Sequence, residues 1–259
     1  MNKLFNFKSS GSLLAAMPLM VVFMFFVSAT QVKAQDIDLL LKGGHLIDTK
    51  NNIDRKMDVA VKAGKIFRVA ADIPASSAKK VVDVSGLIVA PGLINMHTHV
   101  YAGSNPGFTD GTSSQLPDAF APRAGITTVV DAGTSGWRTF PDFKAKIIDN
   151  SMTRVLAFLS IAASGYSVDK AQENIAEMDV QKTAETVNKY PDILVGVRIG
   201  RYDGTEWKPF DRASEAAKLV NKPLFVECHL PMYSLEDQLN RMRAGDIMTH
   251  AFENVSERM

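Results

Sequence analysis

Cysteine is almost missing from this chain. Cys228 stands alone among 259 residues, so no disulfide within the chain can staple the fold. An excess of charge of one sign is missing too. With 29 Lys and Arg against 28 Asp and Glu, the formal net charge is +1. That balance provides neither a basic field for nucleic acid nor an acidic solvating arm. Also missing is an uninterrupted apolar run of the roughly 20 residues that a bilayer span requires. Residues 13–27 come nearest and are broken by Pro18. What remains is ordinary globular composition, 46% hydrophobic and 22% charged.

The first residues are a different material. Lys3 and Lys8 give a positive start, the apolar run follows, and Val32-Lys33-Ala34 places compact residues where a signal peptidase reads. This three-part pattern predicts a secretory signal over residues 1–34, with Gln35 as the mature start and secretion to the periplasm. The competing reading is an uncleaved anchor. No cysteine lies near the site, so lipid attachment there is excluded, and membrane contact is expected only through the signal. Removing it takes away Lys3, Lys8 and Lys33, leaving 26 basic against 28 acidic residues.

From residue 37 to residue 90 the pattern is one of short strands. Residues 37–42 run into Gly43-Gly44 and resume at 45–48, while 58–62 turn at Ala63-Gly64 and resume at 65–69. Residues 81–84 and 87–90 close the set. Period-two runs separated by glycine-containing turns predict a small antiparallel sheet, the N-terminal part of a β-sandwich domain over residues 35–86.

After Pro91-Gly92 the style changes to strands separated by helices. Strands are predicted at 93–99, 127–131, 154–159, 193–198, 223–227 and 246–250, with helices at 169–189, 211–220 and 234–243. Ser234 followed by Asp237 is an N-terminal capping pattern. Near-continuous apolar strands alternating with helices mean a parallel sheet with covered faces, either a barrel or a doubly wound fold. Residues 87–259 supply about 170 residues against about 250 for a complete (β/α)8 barrel, so the expectation is a partial TIM barrel with about six of eight strands.

His97-Thr98-His99 is the first sign of chemistry. Two residues apart on a strand, the imidazoles share one face, and at the C-terminal end of a barrel strand they converge where such folds hold metals. Alone, the pair also fits two polar residues at a strand end. Its context is "SGLIVAPGLINMHTHVYAG", followed in order by "RAGITTVVDAGTSGWRTF", "TRVLAFLSI", "DILVGVRIGRYDG" and "RAGDIMTHAF".

Together these segments resemble the amidohydrolase superfamily, in its amidohydrolase/deacetylase branch akin to dihydroorotase-like enzymes. The resemblance covers nearly all of the mature chain. It implies a metal-dependent hydrolase of amide or related acyl C–N bonds in small molecules. One or two divalent ions, usually zinc, would sit at the barrel mouth and activate a water. The family holds them with the H-x-H of strand one, a carboxylated lysine on strand four, histidines on strands five and six, and an aspartate on strand eight. That aspartate moves the water's proton. His97 and His99 match strand one, and His250 matches strand six.

Other positions depart from that pattern. Arg198 stands at the lysine's place, and a guanidinium neither takes up carbon dioxide nor ligates a metal. One ion is therefore expected in preference to two. Glu227 stands at the strand-five histidine, with His229 two residues on and facing the same way. Either is a candidate ligand, and the alternative is a Glu227–Arg198 ion pair across neighbouring strands. Cys228 points to the opposite face. The strand-eight aspartate has no counterpart, which leaves the catalytic proton carrier unassigned and the chain reading as C-terminally incomplete. The rival to an enzyme is a degenerate, non-catalytic binding protein. His45 reads as a surface residue, while Trp137 and Trp207 follow strand ends and fit either a pocket lining or loop packing. Tyr101, Ser135 and Tyr166 lie in comparable loops without an assigned role. The oligomeric state is not legible.

Overall fold

The computed structural model describes residues 36–103, 114–168, 170–200, 202–227 and 233–251. The chain divides between Pro91 and Gly92 into two compact units.

The first unit is one five-stranded mixed sheet centred on β1 (Ile37–Asp48). On one side lie β2 (Ile53–Lys62), antiparallel to β1, and then β3 (Lys65–Ala70), antiparallel to β2. Ala63 and Gly64, at φ +50° and +71°, make the tight turn between them, and the Asp38 carboxylate accepts the Ala63 N–H at 2.7 Å. On the other side, β4 (Ala78–Asp83) and β5 (Ile88–Val89) run parallel to β1, which corrects the expectation of a wholly antiparallel sheet. The expected break at Gly43-Gly44 is a bulge within one continuous strand. The register against β2 shifts between Leu41 and Gly44, with Gly43 at φ +80°. A Cβ on Gly44 would meet methyls of Val89 at 2.6 Å and Val84 at 2.9 Å, so only glycine lets the chain pass. The bulge hands β1 from β4 to β5.

Apolar clusters form on both faces of this sheet. One contains Leu40, Ala60 and Ile73, the other Leu46, Met57 and Val59. Asp58 is buried among them, and its carboxylate accepts from Lys42 Nζ at 2.7 Å, Gly43 N at 2.7 Å and Ile73 N at 2.8 Å. Burial works against that charge, but the three donors hold its carboxyl below the usual range.

The second unit carries six parallel strands in chain order. They are β6 (Leu93–Thr98), β7 (Ile126–Gly136), β8 (Arg154–Ser160), β9 (Leu194–Ile199), β10 (Leu224–Glu227) and β11 (Ile247–Thr249). Sequential order with intervening helices is the arrangement of a curled (β/α) half-barrel. Side chains alternate along each strand. Val129, Val155, Leu159, Val197 and Val226 face outward onto the helices, while Val130, Phe158 and Phe225 form a separate inner cluster.

The helices are α1 (Pro117–Phe120), α2 (Phe140–Lys146), α3 (Val180–Lys189), α4 (Lys208–Leu219) and α5 (Leu235–Arg241). In α4, Phe210, Ala213, Ser214 and Ala217 recur at helical spacing and are buried, while Pro209 sits in the first turn, where its missing N–H costs nothing. Full burial of Phe210 is worth about 1.5–3 kcal/mol. The Ser234 hydroxyl accepts the Asp237 N–H at 3.0 Å, so the expected cap forms. The helix expected over residues 169–189 starts only at Val180. Before it lie two 3-10 turns, Lys170 at φ +53°, and Asp179, whose carboxylate caps α3 through Lys182 N at 3.0 Å.

Candidate metal centre

The C-terminal ends of the six strands bring the chemistry together. His97 lies near the end of β6, and its ring meets three others edge-on: Phe225 of the inner cluster at 5.5 Å between centroids, His250 at 5.0 Å and His99 at 5.7 Å. His97 and His250 come from the first and last strands of the sheet, so the curl itself joins them. Each H-x-H imidazole is held through Nδ1 by a threonine hydroxyl, His97 by Thr249 at 2.7 Å and His99 by Thr134 at 2.9 Å. His250 directly follows β11 at φ +59°, and its Nε2 stands 4.0 Å from Glu227 Oε1.

The other oxygen of Glu227 is taken by Arg198. The two side chains, 3% and 1% exposed as residues, form a buried ion pair between β10 and β9. Two glycines make room for it. A Cβ on Gly133 would lie 2.5 Å from Arg198 Cδ, and one on Gly200 would lie 2.6 Å from Glu227 Oε2. The guanidinium also rests over the Tyr166 ring, 5.4 Å from its centroid, and that ring lies 5.2 Å from His99. Among the described residues, Arg198 Nε and Nη1 have no hydrogen-bond acceptor. The ion-pair alternative for Glu227 is therefore formed, with its second oxygen turned toward His250.

Beneath His99 lies a second buried acid. Asp131 of β7 is fully buried, and its carboxylate accepts from Thr134 N at 2.7 Å, Thr134 Oγ at 2.6 Å and Val100 N at 2.9 Å. Desolvation pushes its carboxyl up to about 6, against the pull of those three donors and of the Arg198 charge. A bulge creates this cup. The β7 register against β8 shifts between Ala132 and Gly136, Gly133 adopts φ +73°, and the loop after β8 returns to donate Tyr166 N to Gly133 O and Ser167 N to Thr134 O.

The structure thus brings His97, His99, His250, Glu227 and Arg198 to one place. His229 and Cys228 lie outside the described residues. Among the described residues, no three His, Cys, Asp or Glu side chains stand ready-made around a metal position. The chemistry of the donors nevertheless suits a divalent ion: His97, His99 and His250 offer imidazole nitrogen, a donor that fits zinc, while one oxygen of Glu227 pairs with Arg198.

Away from this cluster, His45 is exposed and paired with Asp54. Both tryptophans pack loops. Trp137 lies under Arg138 and Lys182, and Trp207 stacks on Tyr233 at 4.0 Å and under Arg241. Tyr101 is buried and donates to Asp142 at 2.8 Å, with burial and that carboxylate both raising its pKa. Sequence reasoning missed Asp131, Thr134, Thr249 and the placement of Tyr166. Only Asp131 carried a signal, as an acid directly after Val129-Val130 at the end of a predicted strand.

No protein-family profile matches the chain. Its sequence is similar to a deacetylase of Agrobacterium fabrum, 27% identical over 201 residues that cover 74% of this chain and 48% of the relative. It is similar to an allantoinase of Escherichia coli K12, 28% identical over 220 residues, covering 83% and 46%. Its fold is similar to the crystal structure of an adenine deaminase, with a TM-score of 0.71 and 27% identity over 84% of this chain and 57% of that one. The chain spans about half the length of the curated relatives it matches.

Proposed function

The chain belongs to the amidohydrolase superfamily, and from that premise we propose that it carries the metal-holding part of an enzyme that hydrolyses amide or related acyl C–N bonds in small molecules. The observation that supports this reading best is the meeting of His97, His99 and His250 at the strand ends. These three would hold one divalent ion, with zinc suiting the nitrogen donors. Such an ion, when bound, polarises a carbonyl and lowers the pKa of a bound water toward about 7. The chain's own residues then have distinct tasks. Thr249 and Thr134 orient the two H-x-H rings. Arg198 pairs with Glu227 and holds that carboxylate beside His250. Tyr166 closes the side of His99. The reading extends to export: residues 1–34 carry the pattern of a cleaved secretory signal, which would deliver the protein to the periplasm.

The test is hydrolysis of a panel of N-acetyl amino acids and cyclic amides by the chain after chelation and after zinc is restored. Zinc-dependent release of amine or ring-opened product is expected, with loss in His97→Asn. A second reading is favoured by the Arg198–Glu227 pair: a binding protein that keeps the barrel mouth without hydrolysis. Zinc bound at one ion per chain with no turnover of any panel member would support that reading over the first.

A further inference from the structure

We infer that Asp131 is a positioning residue for His99, acting through Thr134 to fix which nitrogen of the imidazole carries the proton. The inference rests on the reading of His99 as a metal ligand. It follows from counting hydrogens. An ionised carboxylate accepts and has no proton to give. The Thr134 hydroxyl therefore spends its single hydrogen on Asp131, at 2.6 Å. Toward His99, 2.9 Å away, the same oxygen has only lone pairs left, so the imidazole must donate from Nδ1. An imidazole with its proton on Nδ1 presents an unprotonated Nε2, the form that takes a metal without first losing a proton.

The surroundings of Asp131 make the direction of this relay hard to reverse. Its carboxylate also accepts the Thr134 and Val100 N–H groups, at 2.7 Å and 2.9 Å. The hydroxyl is thus aimed by its own backbone, while the residue after His99 is tied to the same carboxylate. Asp131 and Thr134 are both fully buried, so water does not compete for these bonds. Without the carboxylate, the hydroxyl would be free to donate to Nδ1, and the proton would move to Nε2, where it blocks the ligand position.

Two readouts test this on the whole chain at about pH 8, where Asp131 is ionised. The tautomer of His99 is read in the metal-free protein from long-range ¹H–¹⁵N spectra. Zinc affinity is read by competition with a chromophoric chelator. Expected are Nδ1–H at His99 in the wild type and in Thr134→Ser, and loss of that preference in Thr134→Val and Asp131→Asn. Zinc affinity should fall about 10- to 100-fold in the last two and stay near wild type in Thr134→Ser. Asp131→Asn also loosens the Val100 tie, so if it fails to fold, Thr134→Val decides alone. Nε2–H at His99 in the wild type would overturn the inference, as would Thr134→Val with unchanged tautomer and affinity. Nδ1–H at His99 in a chain that binds no zinc would instead sink the metal reading and leave the relay standing.

Discussion

His97 Nδ1 lies 2.7 Å from Thr249 Oγ, a hydrogen bond between residues 152 positions apart in sequence. The two strands that carry them, β6 and β11, are opposite ends of the six-stranded sheet. One side-chain bond therefore both marks the curl of the half-barrel and aims an imidazole into its mouth. Thr249→Val should lower zinc affinity about 10- to 100-fold, and Thr249→Ser should leave it near wild type, both measured by chelator competition. Equal affinity in all three proteins would mean the bond does not orient the ring.

The Arg198–Glu227 pair makes a sharp demand on stability. Arg198→Met alone takes the buried guanidinium partner from Glu227, and breaking a buried pair in this way costs about 3–5 kcal/mol. Replacing both residues by methionine removes the charge that needed compensation, and the double variant should regain most of the loss. Urea denaturation of the two single variants and the double variant gives the coupling directly. Additive losses would show that the two side chains do not depend on each other.

On the proposed one-ion reading, the same pair limits the number of ions. A double variant, Arg198→Lys with Glu227→His, restores the side-chain types that the family resemblance implies at those positions. In the presence of bicarbonate it should bind two zinc ions per chain, against one expected for the wild type, counted by elemental analysis of dialysed protein. A stoichiometry that stays at one would move the cause of single-ion binding elsewhere in the mouth.

Much of this architecture was legible because physics writes parallel strands plainly. Covered on both faces, the segments at Arg154–Ser160 and Leu194–Ile199 read as nearly continuous apolar runs. The parity of His97 and His99, and the neighbourhood of Arg198 and Glu227, followed from strand order alone. Strand direction was not legible in the first unit, since alternation marks a strand without saying which way its partner runs. That is why parallel β4 and β5 came as a correction. The helix before Val180 failed for a local reason: Asp179 offers its carboxylate to Lys182 N and stops the helix from extending backward. Thr134 was invisible because its role depends on the bulge at Gly133, and no periodicity reports a bulge in advance.

In the first unit the corresponding weak point is Asp58. Its three donors include two backbone N–H groups that the β1 bulge and the Ile73 segment turn toward it. Asp58→Asn should cost about 2–4 kcal/mol by leaving Lys42 without its buried partner and replacing an acceptor oxygen with a donor. Because the folded carboxyl lies below its ordinary range, this contribution is complete above that range and disappears as pH falls through the folded value. The variant's deficit should therefore shrink in acid, as read by thermal melts at stepped pH. A deficit that persists unchanged into strong acid would rule out a charged role for Asp58.

Asp131 should behave in the opposite sense. Its carboxyl is pushed up to about 6 by burial, above the ordinary aspartate value of 3.8, so between those values the folded chain holds a proton that the unfolded chain releases. Stability from this group is complete below about 4, falls as pH rises toward about 6, and is level above it. A shift of about 2 units corresponds to about 3 kcal/mol across the window. Other carboxylates titrate nearby, so the informative quantity is the difference between wild type and Asp131→Asn, which cannot titrate at that position. Urea denaturation at intervals from about pH 4 to about pH 7 should show the wild type losing ground to the variant by about 2–3 kcal/mol, with a level difference beyond. The lost hydrogen bonds of the variant add a constant offset and do not alter the slope. A flat difference throughout would mean that the donors around Asp131, with Arg198 close by, outweigh its desolvation and keep it ionised over the whole range.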